Sequence, residues 1–298
     1  MRIIYFCLFF LTFACETVVD IVVPLEEPRV VVNGSFNEIG QWKFFVSKSS
    51  HILDDANPPI YDSAIVKIFE GESELATLPY DGVGLYSVDS ILPVGGVTYR
   101  VEVTVPDIGT AYATSVLPSK PMITSVIYDS LVFATAPNIN PKNAIYIKFK
   151  DNGEERNYYI LNLKEESVQR GGRVYDSDGT YVTLEADTAW RYQYFSTEDP
   201  LISAGEGFNN ARLIFSDEFF DGKEYEARID VPAYGTVFRY RVIMHSITED
   251  AYLYYQSLVK QREALHDPFA EPANVYGNVE GGYGIFYGVA ADSVDIVL

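Results

Sequence analysis

Nine consecutive residues, Val97-Thr98-Tyr99-Arg100-Val101-Glu102-Val103-Thr104-Val105, alternate between apolar and polar side chains. In an extended chain, successive side chains point to opposite faces, so Thr98, Arg100, Glu102 and Thr104 share one face and the apolar residues share the other. The same period recurs at Arg29–Phe36, Gln41–Lys48, Ala64–Phe69, Gly84–Val88 and Tyr112–Leu117. Turn segments such as Glu70-Gly71, Asp81-Gly82 and Asp107-Ile108-Gly109 separate the runs. β-Branched and aromatic residues on short strands, with regular Gly/Asp turns between them, predict a β-sandwich over 29–118. The sandwich is immunoglobulin-like or fibronectin-like in the loose sense. No Cys…Trp…Cys spacing of the antibody type occurs.

The second half is also strand-rich. Strands are predicted near 123–132, 144–150, 157–163, 180–186, 212–215, 225–231 and 237–245, and 187–211 reads as a long loop or an inserted hairpin. Asp221-Gly222 predicts a tight hairpin turn, and Gly277–Gly288 a glycine-rich hairpin before a last strand at 292–298. One segment changes period. Thr248-Glu249-Asp250 opens an amphipathic helix near 249–265, with an N-cap, acids in the first turn, and Ala251, Tyr254, Leu258 and Leu265 on one stripe. Leu117-Pro118-Ser119-Lys120-Pro121 is the best domain boundary, because two prolines interrupt ladder pairing. The fold class expected is therefore mostly β: a sandwich over 29–118 and a second β-sandwich domain with one helix over 121–298. A length of 298 residues agrees with two domains.

The N-terminus carries an address. Arg2 precedes an apolar run, Ile3 to Phe13, and then the small residue Ala14. That is the layout of a secretory signal peptide over 1–14. The run falls short of the roughly 20 apolar residues needed to cross a bilayer. Cys15 directly after the small residue reads as the lipidated first residue of a bacterial lipoprotein, with 15–28 as its tether. The position three before it is Thr12, where such sites usually carry leucine. Two or more acyl chains, such as palmitate, would hold the chain stably at a membrane. Cys7 is the only other cysteine, so the mature chain keeps no disulfide, thiol nucleophile or cysteine metal site.

With 42 acidic and 22 basic residues the formal charge is −20. That field disfavours nucleic acids and basic docking on anionic lipid. His51, His245 and His266 lack metal-ligand spacing, and no HExxH, GxSxG or P-loop occurs. His245 reads as structural. Acid pairs such as Asp54-Asp55 and Asp217-Glu218 read as solvated loops, so no enzyme is expected. Counted from Val174, Asp176, Asp178, Gly179 and Glu185 fall at EF-hand positions three, five, six and twelve, but Val174 supplies no ligand. A hairpin turn is the favoured reading there, with calcium as the alternative and otherwise no cofactor. Trp190, Tyr192 and Tyr194, with Tyr158-Tyr159 and Tyr283 to Tyr287, are candidates for a stacking face on a sugar or peptide. Core packing competes with that reading at each position.

Four stretches resemble a family of Bacteroidetes lipoproteins catalogued as a domain of unknown function, number 4249. They are Cys15 with Asp20-Ile21-Val22-Val23-Pro24, the strand Arg29 to Gly34, Ser216-Asp217-Glu218-Phe219-Phe220-Asp221-Gly222-Lys223, and Pro268-Phe269 through Gly281-Gly282-Tyr283-Gly284-Ile285-Phe286. The resemblance implies an outer-membrane lipoprotein whose partner is a TonB-dependent receptor. Only Glu16 and Asp20 are acidic near Cys15, which leaves the cell-surface and periplasmic faces both open. The function expected is a non-catalytic accessory or ligand-capture partner of that transporter. The alternative is a surface adhesin or glycan-binding module that works without one.

Overall fold

The computed structural model describes residues 27–50, 60–130, 142–169, 173–175, 181–183, 187–202, 212–233, 237–266 and 273–298. Cys15, His51, the Asp54-Asp55 pair, and the calcium candidates Asp176, Asp178 and Glu185 lie outside these residues. The fold is mostly β with one helix, as the alternation predicts. The strands are β1 (Val30–Asn37), β2 (Trp42–Lys48), β3 (Ile65–Glu70), β4 (Ser73–Thr77), β5 (Tyr80–Gly82), β6 (Leu85–Val88), β7 (Thr98–Val105), β8 (Gly109–Val116) and β9 (Met122–Asp129). They continue with β10 (Lys142–Lys150), β11 (Tyr158–Gln169), β12 (Arg173–Tyr175), β13 (Tyr181–Thr183), β14 (Asp187–Tyr192), β15 (Arg212–Ser216), β16 (Glu224–Pro232), β17 (Val237–Ile247) and β18 (Gly282–Val297). The helix α1 (Glu249–His266) lies between β17 and β18.

A nine-stranded sheet runs β14-β11-β17-β18-β1-β2-β6-β5, with β15 also paired to β11. Its centre is β18, a strand of 16 residues. Gly282 to Val289 run parallel to β1, and Val289 to Val297 run antiparallel to β17. The β4-β3-β7-β8 sheet packs over the β1 half, and β16-β10-β9 over the β17 half. Two sandwiches thus share one sheet. The C-terminal strand finishes the second sandwich and also supplies Phe286 to the core of the first. The division expected at 118–121 falls between β8 and β9, but the chain returns across it.

The first core is aromatic. Phe36 stacks on Trp42 at 4.2 Å, and Trp42 donates its indole N–H to the Ile91 carbonyl at 2.7 Å. Burying that ring with its donor satisfied gains area without an orphan polar atom. The second core joins Ile145, Ile147 and Phe149 of β10 to Leu161, Leu163, Val242 and Met244 of the large sheet.

Three local expectations change. Asp221-Gly222 does not close a hairpin, because β15 pairs with β11 and β16 with β10, so this turn carries the chain from one sheet to the other. The glycine run before β18 is not a hairpin either. Of residues 273–280 only Glu280 makes a β-bridge, to Tyr112, and β18 then runs unbroken. In α1, the Thr248 carbonyl accepts the Tyr252 N–H at 3.1 Å as an N-cap should, but its buried hydroxyl has no partner. The inward residues are Ala251, Tyr252 and Tyr255, which pack on Tyr158, Ile160, Ile214 and Ile247.

Candidate functional site

The outer face of the shared sheet carries α1, a cleft beside it and an aromatic edge at β14. Cross-strand partners share a face, so Val31 lies beside Tyr283 and Asn33 beside Ile285. Tyr254 and Gln261 of α1 approach this floor from one side, and residues 273–277 form a strap across the other. Together they line an open cleft of about 580 Å³, within the usual size of a small-molecule site.

The strap is bolted down. Asp250 of α1 accepts from the Tyr276 hydroxyl and from Asn278 Nδ2, and Ser257 Oγ accepts the Tyr276 N–H at 2.8 Å. The Asp250 hydrogen bond is the first cause that raises the Tyr276 phenol to about 12, with burial second. Asn278 acts as a one-residue strand. Its Oδ1 accepts the Phe286 N–H at 2.9 Å, and its Nδ2 donates to the Phe286 carbonyl at 2.8 Å. Close approach depends on glycine. Gly284 has φ +110°, and a Cβ there would sit 2.0 Å from the Val32 carbonyl oxygen. The cleft walls are therefore preformed.

The aromatic candidates Trp190 and Tyr192 lie together on β14, an edge strand. Tyr192 pairs across the sheet with Lys164, which pairs with Arg241, which pairs with Asp295. Trp190, Glu166 and Arg239 make the next row. Arg239 and Arg241 lie 5.4 and 4.6 Å from the Trp190 ring centre, and Lys164 Nζ lies 4.8 Å from the Tyr192 ring. Both arginines are themselves ion-paired, Arg239 to Glu166 at 2.6 Å and Arg241 to both oxygens of Asp295. These hydrogen bonds hold the Glu166 and Asp295 carboxyls below their ordinary range. Cation–π contacts thus occupy part of the expected stacking face. Tyr194, 58% exposed, stands beyond the strand end. Tyr158 is committed elsewhere, packed against Tyr252 with the rings tilted at 33° and 4.7 Å between centroids, and with its hydroxyl on Glu249. Tyr159 is core.

The Asp217-Glu218 pair divides. Glu218 is exposed beside Arg156, but Asp217 is 1% exposed, against the solvated-loop expectation. Its Oδ2 accepts the Asn157 N–H at 2.6 Å. Nearby, Asp151 accepts from the Tyr159 hydroxyl at 2.5 Å and the Gly222 N–H at 2.7 Å. Asp151, Asp217 and Asp221 bring carboxylate oxygens within 4.8 Å of one another, close enough to share a cation. Burial, then the Asp151 and Asp221 charges, raise the Asp217 carboxyl. This constellation fastens the sheet-to-sheet crossover at both ends. His245, half-buried between Ile160 and Ala291, is pushed down to about 4 by burial and then by Arg212.

The motif that supplies the crossover and the run that supplies the strap are two of the four stretches quoted for the family. A family described as "Domain of unknown function (DUF4249)" matches residues 16–294. The chain belongs to the DUF4249 family. No curated protein matches this chain. Among solved structures, a partial N-terminal region of an enterococcal surface protein is similar at 9% identity, covering 78% of this chain and 92% of that one at a TM-score of 0.17. So distant a likeness informs neither fold nor site. Sequence reading missed the cleft, since its floor and strap read as a hairpin; the glycines at 277, 281, 282 and 284 were the available signal.

Proposed function

We propose that this DUF4249 protein is an outer-membrane lipoprotein, anchored through acylated Cys15, that captures ligand for a TonB-dependent transporter without catalysing a reaction. The observation that carries the reading is the preformed cleft, held open between α1 and the strap by hydrogen bonds to Asp250 and Ser257. Preorganised walls suit binding, since they lower the ordering cost that a ligand must meet. The apolar N-terminal run ending at Cys15 supports the anchor. Co-purification tests the partner. A tagged chain drawn from detergent-solubilised envelopes of cells that express a TonB-dependent receptor brings down an untagged β-barrel. Recovery of the tagged chain alone refutes the partnership.

Exposure of Tyr192 and Tyr194 at the sheet edge favours a second reading, a glycan-binding adhesin that acts without a transporter. Under that reading, Tyr194→Ala abolishes binding and cleft substitutions do not.

A further inference from the structure

We infer that the cleft beside α1 binds a neutral saccharide, a ligand class that rests on the capture reading above. Among the described residues, its lining holds no Asp, Glu, Lys, Arg or His. The polar groups are the side-chain amides of Asn33, Gln261 and Asn274, tyrosine hydroxyls, and the backbone of a glycine-rich run. No hydrogen bond within the described residues engages those three amides. An amide offers two donors and a two-lone-pair acceptor, which matches hydroxyls that both give and take. Tyr254 and Tyr283 also line the cleft, and the aromatic surface that Arg29 and Tyr255 leave uncovered suits the C–H side of a pyranose.

Other ligand classes fit less well. An anion would meet a chain of net charge −20 with no cation among the described lining residues; Arg29 lies outside them, over Tyr283 at 5.4 Å. An acyl chain would strip water from the amides and return no hydrogen bond. An extended peptide joins a sheet through a free strand edge. Here β1 takes one edge of β18, and Asn278 takes the other at Phe286.

The test is calorimetric titration of the purified full-length protein, in a detergent without a sugar headgroup. The probes are maltohexaose, cellohexaose, xylohexaose and mannohexaose, with polygalacturonate and an uncharged hexapeptide as comparators. At least one neutral hexaose binds saturably. The double variant Gln261→Ala/Asn274→Ala lowers that affinity about tenfold, as expected for two neutral hydrogen bonds, while Tyr194→Ala leaves it unchanged. Circular dichroism checks that each variant is folded. Absence of binding by all four hexaoses at millimolar concentration overturns the inference. Binding of only the polyanion or the peptide does so too, as does equal affinity in the double variant. If saccharide binding fails while the barrel still co-purifies, the ligand class falls and the partnership stands. Binding without co-purification has the opposite meaning.

Discussion

Replacing Asn278 with alanine removes the side chain that completes β18 on its open edge. The strand loses an acceptor for the Phe286 N–H and a donor for the Phe286 carbonyl, and α1 loses one of its two ties through Asp250, the Tyr276 hydroxyl keeping the other. The Phe286 ring is fully buried against Phe36 and Phe44, so its backbone has little access to replacement water. A buried group left without a partner costs about 1–3 kcal/mol, so the two together cost about 2–4 kcal/mol with partial rehydration. Urea unfolding reads the total. Native-state hydrogen exchange reads the local part, with protection of the Phe286 amide falling about 30- to 700-fold at 1.4 kcal/mol per tenfold. Asn278→Asp keeps the acceptor but sets a carboxylate against Asp250 and the Phe286 carbonyl, so its deficit shrinks on acidification. A loss below about 0.5 kcal/mol, the range of ordinary surface changes, with unaltered Phe286 exchange, would refute the claim that Asn278 substitutes for a strand.

Gly284→Ala places a methyl against the Val32 carbonyl at a φ that alanine avoids, so denaturant melts should show a loss of about 2–5 kcal/mol; a neutral effect contradicts the close approach. His245 has a folded pKa of about 4 against an ordinary 6.5, so between those values the unfolded chain binds the extra proton and stability falls as pH drops. The contribution reaches about 3 kcal/mol at 1.36 kcal/mol per unit, and His245→Gln should flatten the stability profile between pH 4 and 6.5. Asp217 is shifted the other way, raised by burial, so its stabilising effect is present at acid pH and fades as pH rises through its folded pKa. Asp217→Asn keeps the acceptor for Asn157 and removes the buried charge; it should cost less at pH 7 than Asp217→Ala, and equal losses by thermal melting would contradict that. Trp190→Ala removes two cation–π contacts worth about 0.5–1 kcal/mol each at an exposed site, with Trp42 left as the only tryptophan for fluorescence-monitored unfolding.

Strands with one apolar face were legible because burial imposes the period of two directly. The Val97–Val105 alternation is β7, which begins one residue later and ends at the same valine. β14 was hidden because its pattern is inverted. Trp190 and Tyr192 face outward, while Arg191 binds the buried Glu165 and Ser167. Helix α1 was legible from its acidic start, but Tyr252, Tyr254 and Tyr255 give it aromatic residues on several faces. Periodicity therefore chose Tyr254 for the core, whereas Tyr252 and Tyr255 pack inward and Tyr254 lines the cleft. Burial of Asp217 had no local signal, since its partner Asn157 is distant in the chain. The dual pairing of β18 was equally hidden, because a strand's sequence does not name the two neighbours it joins.

The proposed acylation at Cys15 carries both the proposed location and the proposed partnership, and intact-mass analysis of the protein extracted from its native envelope tests it most directly. A chain that starts at Cys15 and carries the added mass of two or three fatty acyl groups is the predicted result. A soluble chain retaining Met1 to Ala14 with an unmodified Cys15 would contradict it.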